Sequence, residues 1–182
     1  MRKDSPGNLV TNPGELRRLA RVRNDENRDF RAYLKELPCS SRRIDATVKE
    51  TLQDISSRID CTLCANCCRE MSPVLGTTDI RRLARATGIT VKEFTAQYVK
   101  PAPAGETGLI FKKRPCPFLK ANRCSVYEAR PHDCRSYPHL HRRDFVQRTI
   151  QAIHNYGVCP IVFNTYEGLK DKLARRIKPQ KG

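Results

Sequence analysis

Apolar residues recur every three or four positions between residues 42 and 60, where Ile44, Val48, Leu52, Ile55 and Ile59 form one face and Lys49, Asp54 and Arg58 the other. That spacing predicts an amphipathic helix. Residues 15–37 read as a more charged helix with an intermittent stripe of Leu16, Leu19, Phe30, Tyr33, Leu34 and Leu37, stopped by Pro38. Thr77-Thr78-Asp79 opens a short helix carrying Ile80, Leu83 and Ala84 that Gly88 ends, and Thr90 with Glu93 makes a capping box for a helix through Tyr98. Pro101, Pro103, Gly105 and Gly108 mark a mobile loop. Leu109-Ile110-Phe111 is the one convincing strand; its expected partners are residues 117–119 or 123–125, on either side of an Ala121-Asn122 turn. Helices are expected again near 142–156 and 164–177, the last with Tyr166, Leu169, Leu173 and Ile177 on one face and Lys170, Lys172, Arg175 and Arg176 elsewhere.

The apolar fraction is thin for a chain of 182 residues: 38% hydrophobic, 30% charged, no Trp, and six each of Phe and Tyr. Metal crosslinks would supply what such a core lacks. The formal charge of +16 is uneven, because residues 61–182 hold 22 Lys/Arg against 9 Asp/Glu. A metal site of four thiolates would offset part of that surplus, and the remainder can attract nucleic acid, an acidic partner or an anionic substrate. The polar start at Met1-Arg2-Lys3 has no apolar segment behind it, and no run approaches membrane-spanning length. These features suggest a cytoplasmic protein, away from membranes, whose thiols stay reduced or metal-bound.

The decisive feature is sulfur. Cys61, Cys64, Cys67 and Cys68 form C-x2-C-x2-C-C, and Cys116, Cys124, Cys134 and Cys159 follow in Cys116-Pro117-Phe118-Leu119, Cys124-Ser-Val-Tyr127, Arg130-Pro131-His-Asp-Cys134-Arg135 and Cys159-Pro160. Thiolates at C-x2-C spacing can turn around one ion or one cluster face, as in zinc ribbons and ferredoxin-type loops. Adjacent Cys67 and Cys68 are expected to diverge and serve different metals, which favours two sites or one large cluster with spare ligands. All eight could fill two zinc tetrahedra. Alternatively, Cys61, Cys64 and Cys67 with Cys116 or Cys159 could hold one 4Fe-4S cluster, and ligand softness favours this iron-sulfur reading over Zn2+. Cys39, outside the pattern, reads as a buried small hydrophobe.

These motifs resemble the YkgJ-type cysteine-cluster family, described as the CxxCxxCC zinc- or iron-chelating domain, over roughly residues 60–160. The resemblance implies a metal-binding domain with Cys61, Cys64, Cys67, Cys68, Cys116, Cys124 and Cys134 as ligands, Cys159 fitting less securely. Where the family often has Gly before the paired cysteines this chain has Asn66, a residue that also tolerates a left-handed backbone. Flagellin lysine methylases share a similar cluster, so the resemblance also implies, as one alternative, an enzyme modifying protein side chains.

Arg130 and Arg135 flank Cys134 and can donate hydrogen bonds to a cluster's sulfurs, as cofactor-binding residues, or clamp carbonyls in a tight loop. His132 is a lesser candidate ligand and His139 and His141 weaker ones, all three reading more readily as solvent-facing or hydrogen-bonded loop residues, while His154 reads as a helix residue. Lys112-Lys113-Arg114 and the tail from Lys170 to Lys181 can meet phosphates, but the interleaved aromatics of a single-strand platform are missing, so nucleic acid is not the favoured partner. No dinucleotide, nucleotide or hydrolase motif is present, which leaves enzymatic activity open. The expectation is a mainly α protein with a small irregular cysteine-rich metal-bound centre and a short β-hairpin, packed between helices. It divides into a helical extension at 1–56, a cysteine-cluster domain at 57–162 and a basic helix and tail at 163–182. Its expected role is redox or metal-dependent support of a protein partner; the alternative is a structural-zinc module engaging nucleic acid or an acidic protein.

Overall fold

A computed structural model describes residues 9–105 and 107–174. It is mainly α, 63% helical with two small antiparallel strand pairs. In chain order the elements are α1 (Pro13–Val22), α2 (Asn24–Glu36), α3 (Ser41–Arg58), α4 (Cys61–Cys64), α5 (Asn66–Glu70), α6 (Thr77–Thr87), α7 (Val91–Tyr98), β1 (Val99–Pro101), β2 (Leu109–Phe111), β3 (Leu119–Lys120), β4 (Arg123–Cys124), a 3-10 turn at Tyr127–Ala129, α8 (His132–Ser136), α9 (Phe145–Tyr156) and α10 (Pro160–Ala174). The described residues form two compact units: one made of those up to Asp60 together with those from Pro138 on, the other of Cys61–Tyr137. The described segments on either side of Cys61–Tyr137 thus enter the same unit. Among the described residues no helix is long and apolar enough to cross a membrane.

The first unit is a five-helix assembly of α1, α2, α3, α9 and α10. The single helix expected at 15–37 is two helices, broken at Arg23 (φ −98°, ψ 13°). The break separates the two apolar groups of that stretch, so that Leu16 on α1 and Phe30 and Leu34 on α2 are all buried. Asn12 caps α1 by accepting from the N–H groups of Gly14 and Glu15. Asp45 on α3 caps α9, its carboxylate accepting from the N–H groups of Asp144 (2.9 Å) and Phe145 (3.0 Å). α10 begins four residues before the expected start, because Pro160 can occupy a first helical turn without losing a hydrogen bond. The expectation for Arg175, Arg176, Ile177 and Lys181 lies outside the described residues.

The core of this unit is aromatic. Tyr166 meets Phe30 edge-on at 5.3 Å between ring centroids and Tyr156 at 5.8 Å, and Tyr156 meets Phe163 at 4.5 Å. Burial pushes the Tyr156 phenol up, and its hydrogen bond to Glu167 (2.7 Å) adds to the shift. Glu167 also pairs with Arg23 and with Lys170 (2.7 Å), so the polar end of the core is neutralised by ion pairs. α10 and α3 approach closely at Gly168, where a Cβ would lie 2.9 Å from the Thr51 Cγ2 methyl.

The second unit packs α6, α7 and the two hairpins around Phe94, Phe111 and Phe118, with Leu75, Ile80, Leu83, Ala84, Val99 and Ala129. Phe118 stacks on Phe94 at 6.0 Å and meets Phe111 edge-on at 5.6 Å. α6 ends at Gly88 in the left-handed conformation (φ 73°), as expected, and the Thr90/Glu93 capping box opens α7. The partner of Leu109–Phe111 differs from the expectation: β2 pairs with β1, in register Val99↔Phe111 and Pro101↔Leu109. The chain leaves α7 already extended at Val99, and Gly105 and Gly108, both at positive φ, lie in the loop that returns it. The segments proposed as partners instead pair with one another, Leu119↔Cys124 and Lys120↔Arg123, around a two-residue turn with positive φ at both Ala121 (44°) and Asn122 (65°).

Gly168→Val should therefore destabilise the first unit by about 1–3 kcal/mol through overpacking against Thr51, measured as a lowered denaturation midpoint with unchanged slope.

Candidate metal centre

The C-x2-C-x2-C-C segment folds as two short helical turns, α4 and α5, separated by Ala65. Ala65 takes the left-handed conformation (φ 48°, ψ 13°), and Asn66, expected to tolerate that backbone, is instead the buried first residue of α5. The sharp reversal therefore falls one residue earlier than the sequence suggested. Cys61 is exposed and Cys64, Cys67 and Cys68 are half-buried. The thiols of Cys67 and Cys68 do not diverge: they are hydrogen-bonded to each other, which holds the Cys68 thiol down at about 7 against the opposing effect of burial, with help from the Arg69 charge.

Cys116 follows in space, its N–H donating to the Cys68 carbonyl (2.8 Å). Phe118, two residues on, anchors this stretch in the core. Burial pushes the Cys116 thiol up to about 11, while the backbone N–H groups of Phe118 and Leu119 donate toward its sulfur and favour the thiolate. Cys124 repeats the device: burial pushes it up, and the Val126 N–H opposes this by donating to its sulfur. Such N–H groups aimed at sulfur stabilise negative charge there. Cys134 on α8 keeps an exposed face, yet surrounding protein pushes its thiol up, and Cys68, Cys116, Asp133 and Cys124 push the same way. Cys68, Cys116, Cys124 and Cys134 thus share one electrostatic neighbourhood, and Cys67 touches it through Cys68.

Several residues that the cysteine pattern did not flag hold this arrangement. Asp79, buried on α6, accepts from the N–H groups of Gly76 (3.1 Å) and His132 (3.0 Å) and pairs with Arg82 (2.7 Å). Arg82 in turn donates to the carbonyls of Ala129 (3.2 Å) and Arg130 (2.8 Å). These bonds fasten the loop carrying Cys134 to α6. Arg69 donates to the Cys64 carbonyl (3.1 Å) and to Asn122, and Asn122 donates to the Leu63 carbonyl. The tip of the β3–β4 hairpin is thereby tied to the Cys61–Cys64 turn. An Asp in an N-terminal helical turn and an Asn at a positive-φ turn are readable in sequence; their distant partners are not.

Arg135 donates to the carbonyls of Arg130 (3.1 Å) and Glu128, the clamp that the sequence allowed. Arg130 donates to the Tyr127 carbonyl (3.0 Å) and lies over the Tyr127 ring at 3.7 Å, while its charge favours the Cys124 thiolate. His132 is exposed and meets Asp79 through its backbone. Cys159 belongs to the first unit, buried beside the start of α10, and His139, His141 and His154 belong to that unit as well.

The donor set fits zinc or iron: soft thiols, N–H groups directed at two of them, and an electropositive surround. Among the described residues no group of three or more Cys, His, Asp or Glu side chains is already closed to ion-binding spacing; the fit lies in the chemistry of the donors. The family model CxxCxxCC, "Putative zinc- or iron-chelating domain", matches residues 60–158. The chain belongs to this family. The CxxCxxCC match spans seven of the eight expected ligands and stops one residue before Cys159. No curated protein and no solved structure matches the chain.

Two outcomes are expected. Asp79→Ala should cost about 1–3 kcal/mol, because Arg82 and two part-buried N–H groups lose their acceptor; a melting or denaturant titration checks it. The raised thiol values set a pH window. Metal-free protein gains stability from protonated Cys116, fully present below the ordinary thiol value of about 8.5 and lost as pH rises through about 11. Metal binding displaces those protons, so zinc affinity should instead fall with acidification, by about tenfold per pH unit for each proton released, measured by competition with a chelator.

Proposed function

We propose that the protein holds an iron-sulfur cluster on thiols of the Cys61–Tyr137 unit and serves as a redox or metal-dependent accessory to a protein partner, in a reducing compartment such as the cytoplasm. The observation that carries this reading is the gathering of Cys67, Cys68, Cys116, Cys124 and Cys134 in one unit, with Cys61 and Cys64 on the same short segment as Cys67. Seven thiols exceed what one tetrahedral ion can use, and a cluster with several irons accommodates more of them. When bound, such a cluster supplies one-electron transfer.

The chain's own residues would do the rest. Cys68, Cys116, Cys124 and Cys134 would provide the core ligands, with Cys61, Cys64 and Cys67 as the adjacent set. The N–H groups of Phe118, Leu119 and Val126 would stabilise thiolate charge and raise a cluster's potential. Arg130 would add positive charge beside Cys124, and Arg135 would hold the loop that positions Cys134. Cys159 is assigned to helix packing, since it is buried in the helical unit.

A second reading, structural zinc, is favoured by the paired arrangement at Cys116 and Cys124, where each sulfur receives an N–H from two residues on, which would equally stabilise the thiolates of a closed four-cysteine site.

The test is anaerobic reconstitution with iron and sulfide. The wild type should gain visible absorption that dithionite bleaches reversibly; Cys124→Ser should lose most of it, and Cys159→Ser should keep it. A wild type that stays colourless and retains zinc would remove the iron-sulfur reading, and equal loss in both variants would remove the ligand assignment.

A further inference from the structure

The Lys120↔Arg123 pair flanking the β3–β4 turn sets two cations directly opposite each other across the ladder. Like charges in cross-strand register destabilise a hairpin. No Asp or Glu occurs anywhere from residue 107 to 127, a stretch that also carries Lys112, Lys113 and Arg114. Among the described residues neither Lys120 nor Arg123 forms an ion pair, and both are exposed. The turn between them is bonded through Asn122 to the Leu63 carbonyl and to Arg69. Leu63 itself, at the tip of the Cys61–Cys64 turn, is 60% exposed. An exposed apolar side chain therefore belongs to the same turn that Arg69 and the tip of the Lys120/Arg123 hairpin are bonded to.

An apolar centre within a charged rim is the anatomy of a protein–protein contact. Nucleic acid fits it less well, since single strands need aromatic platforms and the ring of Tyr127, an exposed aromatic of this unit, is already covered by Arg130 at 3.7 Å. We propose that the hairpin tip and the Cys61–Cys64 turn form a docking face for an acidic protein segment that bears an apolar residue, the carboxylates meeting Arg69, Lys120 and Arg123 and the apolar residue covering Leu63. This goes beyond the metal-centre reading and does not depend on which metal is held. It brings a partner to the half-exposed edge of the cysteine cluster, where a redox or metal-dependent exchange with that partner would have to occur.

The experiment measures, on the full chain at low salt, the affinity of a labelled polyglutamate peptide with one central leucine, of its serine counterpart, and of an oligothymidylate. The wild type should bind the leucine peptide most tightly. Lys120→Glu with Arg123→Glu should weaken it by about tenfold or more, whereas the equal charge change Arg18→Glu with Arg21→Glu on α1 should alter it by less than about threefold. Leu63→Ser should cost about tenfold for the leucine peptide and leave the serine peptide unchanged. Metal content per chain, measured alongside, should match wild type in every variant, so a failure of the centre is distinguishable from a failure of docking. Equal losses in the two charge-reversed proteins would reduce the effect to net charge and overturn the proposal; so would tighter binding of the oligothymidylate or no binding of the peptides at all.

Discussion

The second unit depends on bringing thiols from distant stretches of chain to one place and keeping them there against water. Cys67 and Cys68, Cys116, Cys124 and Cys134 span most of that unit, and their common neighbourhood is fixed by ordinary interactions rather than by sulfur alone. Phe118 ties the Cys116 stretch to the aromatic core, the β3–β4 turn brings Cys124 back toward it, and Asp79 with Arg82 holds the segment leading into Cys134. Each anchor stands within five residues of the cysteine it positions or bonds directly to the loop bearing it. The core is built first in the logic of the fold, and the donors are placed as its consequence.

This arrangement carries a tension that bound metal would resolve. Burial favours neutral thiols at Cys116, Cys124 and Cys134, while the N–H groups aimed at two of those sulfurs favour thiolate. A neutral thiol makes little use of such donors. A cation replacing the protons would let sulfur accept those bonds as an anion and would turn mutual repulsion into shared attraction. Metal-binding free energy then becomes part of the folding free energy of this unit, while the helical unit has an aromatic core of its own.

Much of this was legible in the sequence where the signal is local. Helical periodicity fixed α3 almost to its ends, Gly88 and the Thr90/Glu93 pair marked real caps, and the cysteine spacing identified the family. The misses come from interactions between distant residues. The break at Arg23 follows from where two separate apolar groups must point, and the β1–β2 pairing from the direction in which α7 ends. The thiol contact between Cys67 and Cys68 and the left-handed Ala65 depend on a local turn that the pattern of cysteines does not encode. Arg135 was readable as a residue near the centre, but its engagement of carbonyls required the path of the 128–130 backbone.

The most direct test of the central claim is the iron, zinc and acid-labile sulfide bound per chain in protein isolated anaerobically without a metal-binding tag. The account predicts iron and sulfide in equal amounts with a brown chromophore. Zinc without sulfide, or a folded chain with no metal, would contradict it.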